Sequence, residues 1–96
     1  MFRELDPLLH SQLRLSIMSL LIGVKSGTFV YLLEKTGATK GNISVQLKKL
    51  EEAGYIDISK SFQNNYPLTT CRITPKGVEA FEKYVDSLRD YLGSKE

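Results

Sequence analysis

Cysteine and histidine are nearly absent from this chain of 96 residues, where each occurs once, as Cys71 and His10. A single cysteine excludes an internal disulfide framework and fits a reducing compartment. One cysteine and one histidine also cannot supply the paired thiolate or imidazole ligands of the usual metal sites. We therefore expect a cytoplasmic protein with neither a metal ion nor another cofactor.

Long hydrophobic runs are missing as well. The longest apolar segment, residues 13–24, is interrupted by Arg14, Ser16 and Ser19, and it is too short and too polar to span a bilayer. Charged residues also break the apolar content of the first ten positions, so no signal peptide is expected. No internal repeat or low-complexity segment is visible. These absences argue against a membrane protein.

The composition is that of an ordinary globular protein, with 42% hydrophobic and 25% charged residues. The length predicts one domain over residues 1–96 with a modest core. The net charge is only +2, but positions 25 to 60 contain six lysines and only four acidic residues. The positive excess is therefore expected in the middle of the chain.

Residues that favour helix starts precede four predicted helical stretches. Asp6 and Ser11 start a short helix that leads into the first long one, and Thr28, Thr39 and Thr74 precede the other three. Gly37 and Gly54 are placed to end the second and third helices, because glycine accepts the left-handed conformation of that position. The third helix is predicted over about residues 39–53, and the last over about residues 75–92.

The first helix is predicted to be apolar on two sides. Leu13, Ile17, Leu20, Leu21 and Val24 recur with helical spacing and define one buried face. A second set lies on the opposite face, at about 100° per residue. It consists of Leu15, Met18 and Ile22. A helix of this kind in so small a chain predicts a partner subunit.

Two strand-like stretches form a predicted β-hairpin over about residues 55–74. Their alternation directs Ile56, Ile58, Cys71 and Ile73 towards the core. Cys71 is accordingly expected to be a buried structural thiol and not a redox switch.

Two helices joined by a tight, glycine-containing turn form a helix-turn-helix, and a following hairpin and helix give its winged version. In their order and spacing, "NISVQLKKLEEAGYI" and "LTTCRITPKGVEAFEKY" resemble the winged helix-turn-helix transcriptional regulators related to the MarR and ArsR families. The resemblance runs from "HSQLRLSIMSLL" to "ITPKG". It implies an α+β, mostly helical fold with a two-stranded β-wing and a C-terminal dimerisation helix, and it implies a homodimer.

In this class of protein the third helix enters the major groove of DNA and flanking groups meet phosphates. Asn42 can pair bidentately with adenine, and Val45 can contact a thymine methyl group. Hydroxyl and amide groups near the helix start can bind phosphate, while Gly41 lets DNA approach closely. The predicted DNA-binding residues are Thr39, Lys40, Gly41, Asn42, Ser44, Val45, Lys48, Lys49, Lys60, Asn64 and Asn65.

Each of these features also has a plain structural interpretation. Lys48 can pair with Glu52 four residues on. Thr39 can be a helix cap with no further role, and the wing tip "QNNYP" can be a polar turn with no contact to DNA. The tip also lacks the arginine that relatives often carry there. A protein-interaction module on the same fold therefore remains an alternative.

The resemblance implies a dimer formed through the first and last helices. The predicted contacts are Leu8, Leu15, Met18, Ile22, Phe81, Tyr84, Leu88 and Tyr91. The predicted function is a homodimeric regulator, used as a repressor, that binds specific double-stranded DNA at half-sites about one helical turn apart. No nucleophile–base pair or phosphate-binding loop stands out, so an enzyme is not expected. A small-molecule effector remains open.

Overall fold

The computed structural model describes residues 1–93 and arranges them as four helices and a three-stranded antiparallel sheet. The helices are α1 (Gln12–Val24), α2 (Phe29–Thr36), α3 (Lys40–Glu52) and α4 (Pro75–Leu88). The strands are β1 (Ser26–Thr28), β2 (Ile56–Gln63) and β3 (Tyr66–Ile73), in the order β1-β3-β2. The predicted α+β winged helix-turn-helix is confirmed. The final three residues of the predicted 1–96 domain lie outside the described part.

The helices begin at predicted capping residues, whose hydroxyl groups accept hydrogen bonds from backbone N–H groups of the first turn. The caps are Ser11, Thr28, Thr39 and Thr74. Asp6 instead begins only a turn, in which its carboxylate accepts the N–H of Leu8 at 2.9 Å. Gly37 and Gly54 adopt φ angles of 70° and 80° just beyond α2 and α3, so the predicted glycine stops are confirmed.

The core surrounds α1, which packs against α2, α3, α4 and β3. Helix α3 contributes Ile43, Leu47 and Leu50, as its periodicity predicts. Val24 differs from the prediction, because its side chain at the end of α1 is 46% exposed. The buried set is Leu9, Ile17, Met18, Leu21, Leu32, Ile43, Leu47, Leu50, Ile56, Cys71, Ile73 and Tyr84.

The wing is a hairpin of two eight-residue strands joined by a two-residue turn. Asn64 and Asn65 occupy this turn with φ angles of 52° and 67°, the left-handed conformation that such turns require and that asparagine tolerates. The predicted two-stranded wing also has a third strand, β1, which pairs with β3 through Ser26 and Arg72. Three residues are too short to show a strand's alternation, so β1 had no signal in the sequence.

The N-terminal segment, residues 1–11, is hydrogen-bonded to the end of α4. Helix α4 ends at Leu88 and not near residue 92 as predicted. The Arg3 guanidinium group donates to Asp86 Oδ2 at 2.8 Å and to Asp90 Oδ2 at 2.9 Å. These hydrogen bonds from Arg3 lower the pKa of Asp90 to about 2. The Tyr91 hydroxyl donates to the Arg3 carbonyl oxygen at 2.8 Å, which closes the connection.

Candidate nucleic-acid interface

A three-residue turn, 37–39, sets the direction of α3 relative to α2. The backbone N–H of Gly37 donates to the Leu33 carbonyl oxygen at 3.0 Å and so closes α2. The N–H of Ala38 donates to the Thr36 hydroxyl at 3.3 Å. Thr39 then caps α3 by accepting the N–H of Asn42 at 3.2 Å. The start of α3 is therefore held in a defined position with its first residues exposed.

The side of α3 opposite its buried leucines is open to solvent. Val45 is 52% exposed there, and a Cβ added at Gly41 would meet nothing within 4 Å. We call this surface the recognition face. It consists of Lys40, Gly41, Asn42, Ser44, Val45, Lys48 and Lys49, all of which are exposed. Thr39, just before it, is exposed too.

The recognition face is positively charged but carries a partial counterion. Lys48 Nζ lies 3.9 Å from Glu52 Oε2, as the four-residue spacing predicts. Both side chains are well exposed, with 71% and 65% of their surface accessible, so the pair contributes little to stability. Lys48 can therefore exchange Glu52 for another anion at low cost.

Three polar side chains connect α1 to the recognition face, and the sequence pattern did not predict this. Gln46 Nε2 donates to Asn42 Oδ1 at 3.0 Å. Arg14 Nη1 in turn donates to Gln46 Oε1, and Arg14 Nε donates to the Leu8 carbonyl oxygen. The four-residue spacing of Asn42 and Gln46 is a recognisable signal for such a pair, but nothing in the sequence brings Arg14 to it.

The wing presents amide and aromatic groups more than charge. Lys60, Asn64 and Asn65 are exposed, and the left-handed turn is sufficient reason for both asparagines. Phe62 and Tyr66, next to the turn, are 77% and 75% exposed. These two aromatic residues were not predicted as part of the site.

The residues predicted at a dimer interface fall into two groups. Leu8, Leu15, Ile22, Phe81 and Leu88 are partly buried, and Tyr91 is 45% exposed. Met18 and Tyr84 are corrections, because both are buried within their own chain and pack in the core, with 0% and 4% exposure. The helical spacing indicates which face of its helix each residue lies on, but it does not indicate how much of the helix circumference is buried. Phe2, Val85 and Leu92 add exposed apolar surface in or near α4.

The other candidate groups are accounted for by packing. Cys71 is buried, and burial raises its pKa to about 11, so the thiol stays protonated at neutral pH. His10 Nδ1 lies 2.9 Å from the Tyr84 hydroxyl oxygen. Within residues 1–93, no three His, Cys, Asp or Glu side chains gather closely enough to hold a metal ion. None of the helices in this part of the chain is long and apolar enough to cross a membrane.

A cavity of about 780 Å³ lies between the N-terminal segment, Tyr55 and α4. The Tyr55 hydroxyl donates to Asp6 Oδ2 at 2.6 Å, and burial together with this bond raises the Tyr55 pKa to about 12. Lys76, Glu79 and Lys83 also line the cavity. The mixed charges leave no single sign that would select a ligand.

Comparison with known proteins agrees with this geometry. A family model described as a winged helix DNA-binding domain matches residues 13–92, which is most of the chain. The chain therefore belongs to the family of winged helix DNA-binding domains. Its likeness to solved transcriptional regulators, those of the MarR type included, confirms the winged helix fold that the resemblance implies.

Three proteins illustrate what this chain is similar to in sequence and in fold. The uncharacterized protein MJ0432 of Methanocaldococcus jannaschii is 41% identical over 76 residues, which cover 79% of this chain and 83% of that protein. A transcriptional regulator homologue from Pyrococcus horikoshii OT3 has a TM-score of 0.84 at 26% identity, covering 90% and 85% of the two chains. A mutant MarR from E. coli, solved with operator DNA, has a TM-score of 0.74 at 15% identity, covering 91% and 61%.

Proposed function

We propose that this chain is a sequence-specific transcriptional regulator that binds double-stranded DNA as a homodimer and represses by blocking access to a promoter. It acts by binding and not by catalysis. The observation that carries the proposal is the recognition face. One side of α3 supplies three core residues, while the recognition face on the other side consists of small, polar, cationic and isolated apolar groups open to solvent.

The chemistry of the recognition face suits a major groove. A helix enters the groove with its first turns near base edges, and cations at its flanks meet phosphates. Thr39, Lys40 and Ser44 lie around the first turn, where hydroxyl, ammonium and backbone N–H groups bind phosphate oxygens. Val45 contacts a thymine methyl group. Lys48 and Lys49 approach the backbone at the other end of the face.

The homodimer places two recognition faces on successive major grooves, about one helical turn apart. The surface proposed for subunit contact consists of the partly buried and exposed apolar residues of the N-terminal segment, α1 and α4. They are Leu8, Leu15, Ile22, Phe81, Leu88 and Tyr91. The wing reaches the flanking backbone with Lys60 and with the two asparagines of its turn.

A second candidate function rests on a specific observation. Phe62 and Tyr66 expose large aromatic surfaces beside the wing turn, and aromatic residues are enriched in protein–protein interfaces. Together with the net charge of only +2, they favour a protein-interaction module built on the same fold. Such a module would bind a partner through the wing and would show no salt-dependent affinity for DNA.

Fluorescence anisotropy of a labelled random-sequence duplex, measured at several salt concentrations, separates the two functions. A regulator neutralises several phosphates, and the logarithm of its binding constant falls by about 0.9 per phosphate for each tenfold rise in salt. A slope of several units supports the proposal. Absence of binding at low salt contradicts it and favours the interaction module. Repression is then tested by transcription from a promoter that carries the selected operator, which should fall when the protein is added.

A further inference from the structure

We propose that Gln46, held by Arg14, fixes the Asn42 side chain so that its amide N–H groups face the DNA as hydrogen-bond donors. Gln46 and Arg14 are thus positioning residues that orient Asn42 towards the base it contacts. The inference rests on the proposed DNA-binding function. None of the three was expected to interact from the resemblance.

Arg14 determines which end of the Gln46 amide faces α1. A guanidinium group only donates hydrogen bonds, so the atom it contacts must be the Gln46 oxygen, Oε1, as observed. Arg14 is itself held by the Leu8 carbonyl oxygen and is half-buried, as is Gln46. The amide of Gln46 is therefore fixed with its Nε2 group turned towards Asn42.

Gln46 then determines the orientation of Asn42. Its Nε2 group donates to Asn42 Oδ1 at 3.0 Å, which occupies one of the two acceptor positions of that oxygen. Among the described residues 1–93, no hydrogen bond uses Asn42 Nδ2. Asn42 is exposed, so the two N–H bonds of Nδ2 are its free groups on the recognition face.

This arrangement changes the base that Asn42 is expected to read. The bidentate pair with adenine needs Asn42 to accept from N6 and donate to N7 at the same time. Because Oδ1 already accepts a hydrogen bond from Gln46, Asn42 offers the base mainly the two N–H donors of Nδ2. Guanine presents two acceptors, N7 and O6, on its major-groove edge, whereas cytosine presents a donor. We therefore expect guanine at the position of Asn42 in each half-site.

The sharpest test reverses the polarity of the middle residue. Gln46→Glu introduces a carboxylate at the end of a side chain of the same length, and a carboxylate only accepts hydrogen bonds. It can accept from Arg14 and from Asn42 Nδ2, and the second bond turns Asn42 Oδ1 outwards. Duplexes bound from a randomised library are sequenced, and the affinities of operators that differ at one base pair are compared. The wild type should prefer guanine by about tenfold, and Gln46→Glu should move the preference to a base that donates, cytosine or adenine.

Three further variants define the position and the mechanism. Asn42→Ala should lose the preference at one base position per half-site, which identifies that position. Gln46→Met keeps the side-chain length but has no amide, so it should leave Asn42 free and reduce the preference towards none. Arg14→Met should have the same effect from α1. Circular dichroism and random-duplex affinity of each variant show that it is folded and still binds DNA. The preference ratio is compared because the added negative charge of Gln46→Glu lowers affinity for every duplex.

The outcomes separate this inference from the proposed function. If folded Gln46→Glu binds DNA and selects the same base as the wild type where Asn42→Ala loses its preference, the positioning role is refuted. It is also refuted if Asn42→Ala changes no base preference. Salt-dependent binding by the wild type in either case leaves DNA binding intact. A wild type that binds no duplex overturns both.

Discussion

The carbonyl oxygen of Tyr55 lies 2.1 Å from the point that a Cβ on Gly77 would occupy. Only glycine permits this approach, in which the first turn of α4 packs directly on the backbone at the start of the wing. The contact is stabilised because the N–H of Thr74 donates to the Tyr55 carbonyl oxygen at 3.0 Å. The Thr74 hydroxyl also donates to the Gly54 carbonyl oxygen at 2.6 Å. The cap of α4 is thereby joined to the end of α3.

Gly77→Ala should destabilise the fold by about 3 kcal/mol, because the clash involves backbone atoms that cannot move independently. Urea unfolding followed by circular dichroism measures the change. Gly23→Ala is the matched control. A Cβ at this helical position meets nothing within 4 Å, so the free energy of unfolding of the Gly23→Ala variant should rise by about 0.5 to 1 kcal/mol. Equal stabilities for the two variants would contradict the close approach.

Gly41→Ala should separate stability from DNA binding. A Cβ there meets nothing within 4 Å, so the free energy of unfolding should rise by about 0.5 kcal/mol. If DNA approaches the backbone at Gly41, the added methyl group should reduce operator affinity about tenfold, measured by anisotropy. Gly23→Ala on α1 should leave the affinity unchanged. An unaltered affinity for Gly41→Ala would show that DNA does not come close to this residue.

Lys48→Glu combined with Lys49→Glu should weaken DNA binding without unfolding the protein, since both side chains are exposed. The slope of the salt dependence should fall by about 2 units per protomer. Loss of the exposed pair with Glu52 should change stability by less than about 1 kcal/mol. Lys76→Glu combined with Lys83→Glu carries the same charge change on α4 and should have a smaller effect. Unchanged affinity of the first double variant would exclude this part of α3 from the interface.

Leu15→Glu or Leu88→Glu should dissociate the proposed homodimer, because a carboxylate buried between subunits has no counterion. Sedimentation velocity at several protein concentrations measures the assembly. Both leucines also pack on the core of their own chain, so circular dichroism must show a folded monomer. Val30→Glu, at an exposed apolar position of α2, is the control and should leave the assembly unchanged. An intact dimer in both leucine variants would remove these residues from the interface.

The Arg3–Asp90 pair should make stability depend on pH in the acid range. The folded pKa of Asp90, about 2, lies below its ordinary value of 3.8. The pair therefore stabilises the fold fully above about pH 4 and loses this contribution as the pH falls towards 2. Thermal midpoints of the wild type and Asp90→Asn should differ most at pH 5 and converge near pH 2. A constant difference across this range would refute the assignment.

The winged arrangement follows from the resemblance, whereas the features that the residues alone predict correctly depend mostly on neighbours within about four residues. Thr39 caps α3, Gly37 and Gly54 follow helix ends, and Ile43 faces inwards, because capping and helical spacing act over one turn. The same reasoning could not set the width of a buried face. Helical spacing therefore predicts a surface position for Met18, which is fully buried, and a core position for Val24, which is exposed.

The relationships that define the candidate site depend on residues far apart in the chain. Local patterns establish the four helices, the two strands of the wing and the polar side of α3. They contain no information on which element packs against which. Arg14 meets Gln46 across 32 positions, and Gly77 meets Tyr55, only once the helices are docked around α1. Packing of the assembled core thus orients Asn42, because hydrogen bonds between distant segments form only after the hydrophobic surfaces have brought them together.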